Sequence, residues 1–365
     1  MTTDSFHTAP RHRVDDPASL DAFLQALEGV SALGFDTEFV RERTFLPQPG
    51  LIQVSDGQAV WLLDPLALGD DPGFREALAA WMADPGRVKI LHSVGEDFEV
   101  FDRVCGEIPD PLFDTQVAAA LLGKPLQLKY ETLAEELLGV QFPGGLGRNN
   151  WLRRPLPEPW LDYAAHDVIA LPALKNELTE RLVAADRLDW HAEECARRVA
   201  QARQPVDSLL RIRGAERLDD EGLARLVTLA EWRDAQARER DLPRTFVVPD
   251  PALLEIARRN PTVPEDLQAI DALKPGAARR FGADLVACCR RPAEDWTRPA
   301  ALQPLDREAR AEVKRMQALV RERAETLDVD AALLASKREL ERIVRGERPD
   351  WLDGWRGRQL GGLIR

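Results

Sequence analysis

Residues 34 to 40 read GFDTEFV, and this stretch limits the fold more tightly than any other. Aromatic and β-branched residues set between polar ones suit an extended strand, where side chains two apart share a face. Asp36 and Glu38 therefore fall on one side. Neighbouring carboxylates repel, so that side either meets solvent or meets a cation. Hard divalent ions such as Mg²⁺ take oxygen ligands and remove the repulsion. One acid-x-acid strand points only weakly in that direction, and acidic residues elsewhere must decide between the two.

Two further segments supply them. VKILHSVGEDFEVF, residues 88 to 101, reads as a buried strand, a turn of small residues at Ser93 to Gly95, and a helix start carrying Glu96 and Asp97. Asp97 also suits a plain helix cap. WLDYAAHDVIALPAL, residues 160 to 174, has a helical pattern that puts Tyr163 and Asp167, four apart, on one face. Tyr163 alone would suit a half-buried core position with a satisfied hydroxyl. Taken together, a strand, a turn and a helix that all present carboxylates predict a metal site.

At these residues the chain resembles the DEDD superfamily of 3′-to-5′ exonucleases: DTEF holds Asp36 and Glu38, HSVGED holds Asp97, and YAAHD holds Asp167. The Tyr-x-x-x-Asp form of the last motif marks the tyrosine branch. The histidine branch has its His five residues before the final Asp, a place held here by Asp162, so His166 is a decoy. RERTFLPQPGLIQV, FDTQVAAALLG, LAEELLGV and WLRRPLPEPWLDYAAHDV are similar to the bacterial ribonuclease D family, and the likeness covers nearly the whole chain.

The resemblance implies a site with two divalent ions, Mg²⁺ or Mn²⁺, which together stabilise charge on the attacking and leaving oxygens of a phosphodiester. Asp36 would bridge them, Glu38 and Asp167 would complete the nucleophile side, and Asp97 would hold the leaving-group side largely through water. Tyr163 would position and help activate the attacking water. A phenol with a pKa near 10 is a poor base unaided. The product would be a nucleoside 5′-monophosphate. Thr37 is implied as a contact to the terminal nucleotide and Phe39 as a wedge beside the last bases, though Phe39 equally suits the core. His92 is a candidate for a substrate phosphate or sugar. Asn150 departs from the family's serine or threonine before Asp-Trp, which weakens a substrate role there.

Other chemistries find no support. PGGLGRNN, residues 143 to 150, lacks the third glycine of GxGxxG and reads as a flexible loop, and GxxxxGK[ST] does not occur, so no nucleotide cofactor is expected. Cys105, Cys195, Cys288 and Cys289 lack CxxC spacing, which argues against structural zinc or a disulfide framework. No apolar run approaches a membrane span of about 18 residues. A cytoplasmic monomer is expected.

The 365 residues should form two or three domains. Strand-like runs (GFDTEF, GLIQVSD, AVWLLD, VKILHS) followed by amphipathic helices predict, up to about residue 205, an α/β (α+β) unit with a mixed sheet flanked by helices, the ribonuclease H-like fold that the resemblance implies. Beyond it the pattern is helical. Residues 219 to 240 carry Leu223, Leu226, Val227, Ala230 and Ala237 at helical spacing, with Asp219 or Asp220 as cap. Residues 206 to 292 resemble an HRDC domain, and 299 to 365 resemble a second HRDC-like helical domain, with RRPAEDWTRPAALQP as linker.

The net charge of −13 is awkward for a protein that meets phosphates. Residues 1 to 205 hold 19 Lys plus Arg against 33 Asp plus Glu, net −14, which leaves 30 against 29, net +1, for the remainder. Metal ions would offset part of the acidic excess, and the helical half would bring local basic faces. Arg211, Arg213, Arg233, Arg238, Arg240 and Arg244 are candidates for tracking a phosphate backbone. The leading expectation is an exoribonuclease acting on RNA such as tRNA precursors. A DNA exonuclease partnered with a helicase, and an inactive RNA-binding scaffold, are the alternatives.

Overall fold

Six strands carry the first half of the chain: β1 Arg11–Val14, β2 Ala32–Val40, β3 Gln48–Ser55, β4 Val60–Leu63, β5 Val88–Leu91 and β6 Leu112–Asp114, hydrogen-bonded in the order β1-β4-β3-β2-β5-β6. The computed structural model describes residues 3–69, 71–145, 147, 149–204, 207–291, 296–362 and 364. β3 runs antiparallel to β2 and β4, while the pairs β1–β4, β2–β5 and β5–β6 are parallel. The expected mixed sheet is therefore present. β1 and β6 were not among the expected strands.

Both faces of the sheet are covered, which is why β3 to β5 are buried almost throughout. One face packs Leu33, Phe35, Ile52 and Val54 against Phe98 and Phe101 of the helix Glu96–Cys105. The other packs Leu51, Leu62 and Ile90 against the helices Glu158–Ile169 and Leu171–Ala184. Gly34 sits where the sheet and this second layer approach most closely. A Cβ there would lie 2.9 Å from Leu171 Cβ and 3.0 Å from the Val168 carbonyl, so a larger residue would push the helices off β2. Residues 160 to 174 form two helices, not one continuous helix. The first ends before Ala170, where Pro172 lies in the opening turn of the second.

The middle unit has its own core. The helices Asp220–Glu239, Asp250–Arg259 and Pro275–Arg290 pack Leu223, Leu226, Leu253, Ile256, Phe281 and Leu285 together, and Asp219 caps the first by accepting from Gly222 N. Phe45, from the loop after β2, enters this core. Its backbone N–H donates to Asp241 Oδ1 at 2.9 Å, and the Arg244 guanidinium lies 4.5 Å from its ring centre. The boundary residues 205 and 206 and the linker residues 292–295 fall outside the described residues.

The last helices join the first unit. Val313, Met316, Val320 and Ala324 of the helix Arg307–Leu327, together with Leu340 and Trp355, belong to the same continuous apolar cluster as Leu174, Leu178 and Leu182. Trp355 stacks on Trp190 of the helix Leu188–Arg203 at 4.5 Å and 12°. Beneath that stack the buried Glu194 accepts from Trp355 Nε1 at 3.0 Å and pairs with Arg356 at 2.7 Å. Burial alone would raise the Glu194 carboxyl, but Arg356 and Arg197 hold it below its ordinary range.

Candidate active site

Asp36 and Glu38 project from β2 onto the face covered by the helix Glu158–Ile169. A register shift between Glu38 and Phe39 against β3 marks a bulge at this point, a device that bends a strand and re-aims its side chains. The close approach over Gly34 brings the helix down so that Asp167 meets them. One carboxylate oxygen from each of Asp36, Glu38 and Asp167 lies within 4.8 Å of the others. Four residues before Asp167 on the same helix, Tyr163 donates its hydroxyl to the Asp167 carboxylate.

Asp97 arrives from a different layer. The turn between β5 and the helix Glu96–Cys105 takes Ser93 through φ 63°, an uncommon conformation for a non-glycine residue, and the buried Asp114 steadies it by accepting from Ser93 N at 3.1 Å. Asp97 then stands in the first helical turn, after Gly95 at the N-cap. Thr37 lies between Asp36 and Glu38 in sequence but points to the opposite side of β2. Its Oγ1 donates to Asp97 Oδ1 at 2.6 Å. Asp97 adds repulsion to both Asp36 and Glu38 without joining the tightest trio.

Crowding and burial make these four groups reluctant to ionise. Burial first, then Asp167, Asp97 and Glu38, drive the Asp36 carboxyl well above the carboxylate range. Burial, Asp167 and Asp97 push Glu38 up to about 9, and burial takes Asp167 up to about 8 despite the Tyr163 bond. Asp97 rises as well, again chiefly through burial. None of the leading contributions comes from a Lys or Arg. Oxygen ligands gathered without a cation among them suit a hard divalent ion, whose charge would reverse every one of these shifts. The residues present fit such a group.

Tyr163 is kept protonated. Burial and then the Asp167 charge raise its pKa far above the phenol value in the metal-free chain, where it serves as a hydrogen-bond donor. Trp151 leans toward it with ring centres 6.3 Å apart, and Trp151 Nε1 donates to the Gly147 carbonyl at 3.3 Å. A Cβ at Gly147 would come 3.4 Å from the Tyr163 hydroxyl, so residues of the 143–150 loop border the site. Residues 146 and 148 of that loop lie outside the described residues.

Two neighbours were not anticipated. The buried Tyr130 donates to the His166 carbonyl at 2.8 Å and accepts from Ala170 N at 3.2 Å, clamping the end of the helix that carries Asp167. Gln53 pairs directly opposite Asp36 on β3, is fully buried, and has no partner for either side-chain polar atom among the described residues. Its sequence neighbourhood gave it no chemistry.

His92, a candidate for substrate contact, is engaged by the protein itself. Its Nε2 meets the Leu128 carbonyl at 2.9 Å and its Nδ1 meets Thr115 Oγ1 at 2.9 Å, while burial lowers its pKa. Both ring nitrogens are engaged by the protein, so the structure gives His92 a bracing role and no free atom for substrate. The Thr37 hydroxyl is likewise engaged by Asp97. Phe39 lies half-buried against the core on the side away from Asp36. His166 stacks on Phe142 at 5.2 Å and 25° and is not among the clustered carboxylates, as the spacing of the motif implied.

The arginines expected on the middle unit are mostly engaged within it. Arg233 is buried, donating to Asp250 at 2.5 Å and to the Val248 carbonyl. Arg244 pairs with Asp234 at 2.7 Å, Arg238 joins it over Phe45, and Arg240 donates to Gln236.

A family profile described as a 3′-5′ exonuclease matches residues 12–183, and one for the HRDC domain matches residues 222–289. Ribonuclease D of Xanthomonas oryzae pv. oryzae is 37% identical over 355 residues, covering 94% of this chain and 95% of that protein. Ribonuclease D of Escherichia coli K12 is 35% identical over 358 residues, covering 93% of each. The crystal structure of Escherichia coli RNase D, described as an exoribonuclease involved in structured RNA processing, matches with a TM-score of 0.88 at 33% identity over 96% of both chains. Among the described residues no helix is long and apolar enough to cross a membrane.

Proposed function

Because this chain belongs to the ribonuclease D family and is a 3′-to-5′ exoribonuclease, we propose that it trims the 3′ ends of structured RNA, tRNA precursors among them, as a cytoplasmic monomer that binds two divalent ions, Mg²⁺ or Mn²⁺. The observation that carries the chemical part of this reading is the meeting of Asp36, Glu38 and Asp167 within 4.8 Å, with Asp97 beside them.

Asp36, Glu38, Asp97 and Asp167 would hold the ions. The pair, when bound, supplies positive charge to the attacking and leaving oxygens of the phosphodiester. The chain's own groups do the rest. Thr37 holds Asp97 at a fixed orientation. Tyr163 donates its hydroxyl hydrogen to Asp167 and so steadies that carboxylate, and its oxygen can accept a hydrogen bond from water beside the site. Phe39 stays a candidate for contact with the last bases through its exposed part. Hydrolysis at the terminal linkage would release nucleoside 5′-monophosphates.

The test is incubation of the purified full chain with a 3′-extended stem-loop RNA and its DNA counterpart, with Mg²⁺ or with EDTA. Stepwise loss from the RNA 3′ end, mononucleotide products and silence in EDTA are expected. Equal degradation of the DNA counterpart would overturn the RNA preference, and RNA loss in EDTA would overturn the metal assignment.

A further inference from the structure

The protein is acidic overall, with a net charge of −13, yet one surface has the opposite sign. A cleft of about 1660 Å³ opens among the segment entering the middle unit, the segment leaving it, and the helices Arg307–Leu327 and Lys337–Val344. Its walls carry nine Lys or Arg side chains against two acids, Glu216 and Glu341. Arg213, Arg310, Lys314, Arg321 and Arg338 are exposed and form no ion pair among the described residues. The other four lean on Glu216, Glu341 and Glu347.

The arrangement along the helix Arg307–Leu327 follows from its periodicity. Arg310, Lys314 and Arg321 recur at intervals of four and seven and so form one stripe, roughly 16 Å long at the helical rise, while Val313, Met316 and Val320 turn into the core. Cations gathered without carboxylate partners repel one another. In a chain with an excess of acids, such an uncompensated cluster is matched by a ligand dense in negative charge. The nucleic-acid backbone is such a ligand, and positioning on it needs cations at intervals and no base reading. The middle unit's long helix offers less for this purpose, since its Arg233 is buried and its Arg240 bonds within the helix.

We propose that this cleft holds the phosphate backbone of the substrate RNA upstream of the 3′ end being shortened. The proposal rests on the exoribonuclease reading of the carboxylate site. It places the principal electrostatic grip where the two helical regions face each other, and not on the outer face of the middle unit.

The full-length charge-reversal variant Arg213→Glu/Lys314→Glu/Arg321→Glu tests it, with a stem-loop RNA bearing a 3′ tail and a pentanucleotide of the tail sequence as substrates. Binding of the stem-loop in EDTA should weaken about tenfold or more, and the slope of log affinity against log salt should fall by about 2 to 3, near one per lost phosphate contact. In Mg²⁺ the ratio of kcat/KM for the stem-loop to that for the pentanucleotide should fall in step. The charge-conserving variant Arg213→Lys/Lys314→Arg/Arg321→Lys should keep the original ratio and slope. If the reversal variant melts early, the triple alanine variant replaces it. An unchanged affinity and salt slope in a folded variant overturns the proposal. A wild-type chain that binds the stem-loop but degrades neither RNA overturns the nuclease reading, and the cleft is then judged on binding alone.

Discussion

Thr37 donates its hydroxyl hydrogen to Asp97 Oδ1 across 2.6 Å, tying the strand that carries Asp36 and Glu38 to the helix that brings the fourth carboxylate. Burial raises the Asp97 carboxyl, and this bond is the largest force opposing the rise. The same side chain therefore fixes both a distance and a charge state.

Thr37→Val keeps the shape and removes the bond. Partners behind metal ligands commonly contribute 10–100-fold to metal affinity or activity, so the Mg²⁺ concentration giving half-maximal hydrolysis should rise about tenfold. A titration of rate against Mg²⁺ that superimposes on the wild type would remove Thr37 from the site's support.

Asp36→Asn should abolish hydrolysis, by about a thousandfold or more given the collective action of such residues, and yet raise the melting temperature of the metal-free protein. The gain arises because Asp36 is crowded by Asp167, Asp97 and Glu38 and is costly to charge. Retained turnover, or a lower apo melting temperature at pH 8, would contradict the assignment.

The site also predicts a pH dependence. Glu38 and Asp167 titrate near 9 and 8 in the folded chain and nearer 4 when unfolded. Between those values the folded state binds more protons, so stability of the metal-free protein declines as pH rises from about 5 to 9. Metal binding needs the deprotonated forms, so the increase in melting temperature on adding Mg²⁺ should widen over the same interval. A constant Mg²⁺ increment from pH 6 to 9 would speak against these carboxyls as ligands.

Tyr163→Phe removes a hydrogen-bond donor and leaves the ring. Turnover should fall about 10²-fold, in the range of a positioned hydrogen-bonding or acid–base group, with a smaller change in KM. Since burial and the Asp167 charge keep the hydroxyl protonated in the metal-free chain, the alkaline limb of the pH–rate profile should be the same in both proteins. Loss of that limb in the variant would make Tyr163 a titrating base after all.

Arg356→Ala would leave Glu194, which is 3% exposed, with Arg197 as its remaining cationic partner beneath the Trp190–Trp355 stack. With Arg197 retained, the loss should be that of charge-assisted hydrogen bonds, about 1.5–3 kcal/mol, and not that of an uncompensated buried charge. Denaturant melts should show a loss of that order, and a change under about 1 kcal/mol would mean that Glu194 is adequately solvated without its partner.

The meeting of Asp36, Glu38 and Asp167, with Tyr163 bonded to the last, was legible because strand and helix periods fix which residues share a face, and the family motifs tie the segments together. β2 to β5 were legible for a related reason: each carries large apolar or β-branched residues at strand spacing. β1, RHRV, has three exposed residues, and β6 is only three residues long. Neither carries an apolar pattern of its own. The bracing of His92 was not legible because the groups that engage it, Thr115 and Leu128, lie 23 and 36 residues away. The engagement of Arg233 and Arg244 was hidden likewise, since Asp250, Asp234 and Phe45 become their neighbours only after folding. Thr37 was expected at the substrate, and nothing local in DTEF reveals that its hydroxyl turns to Asp97.

The shared core between the last helices and the sheet's second layer makes the order of the chain differ from the order of its dependence. The middle bundle resembles a bead threaded between two parts of one body, so excising it and rejoining the ends should harm the nuclease less than clipping the tail. Cutting after the bead would strip the cover from Leu174, Leu178 and Trp190 and leave a sticky, poorly folding enzyme, even though the carboxylates themselves all lie upstream.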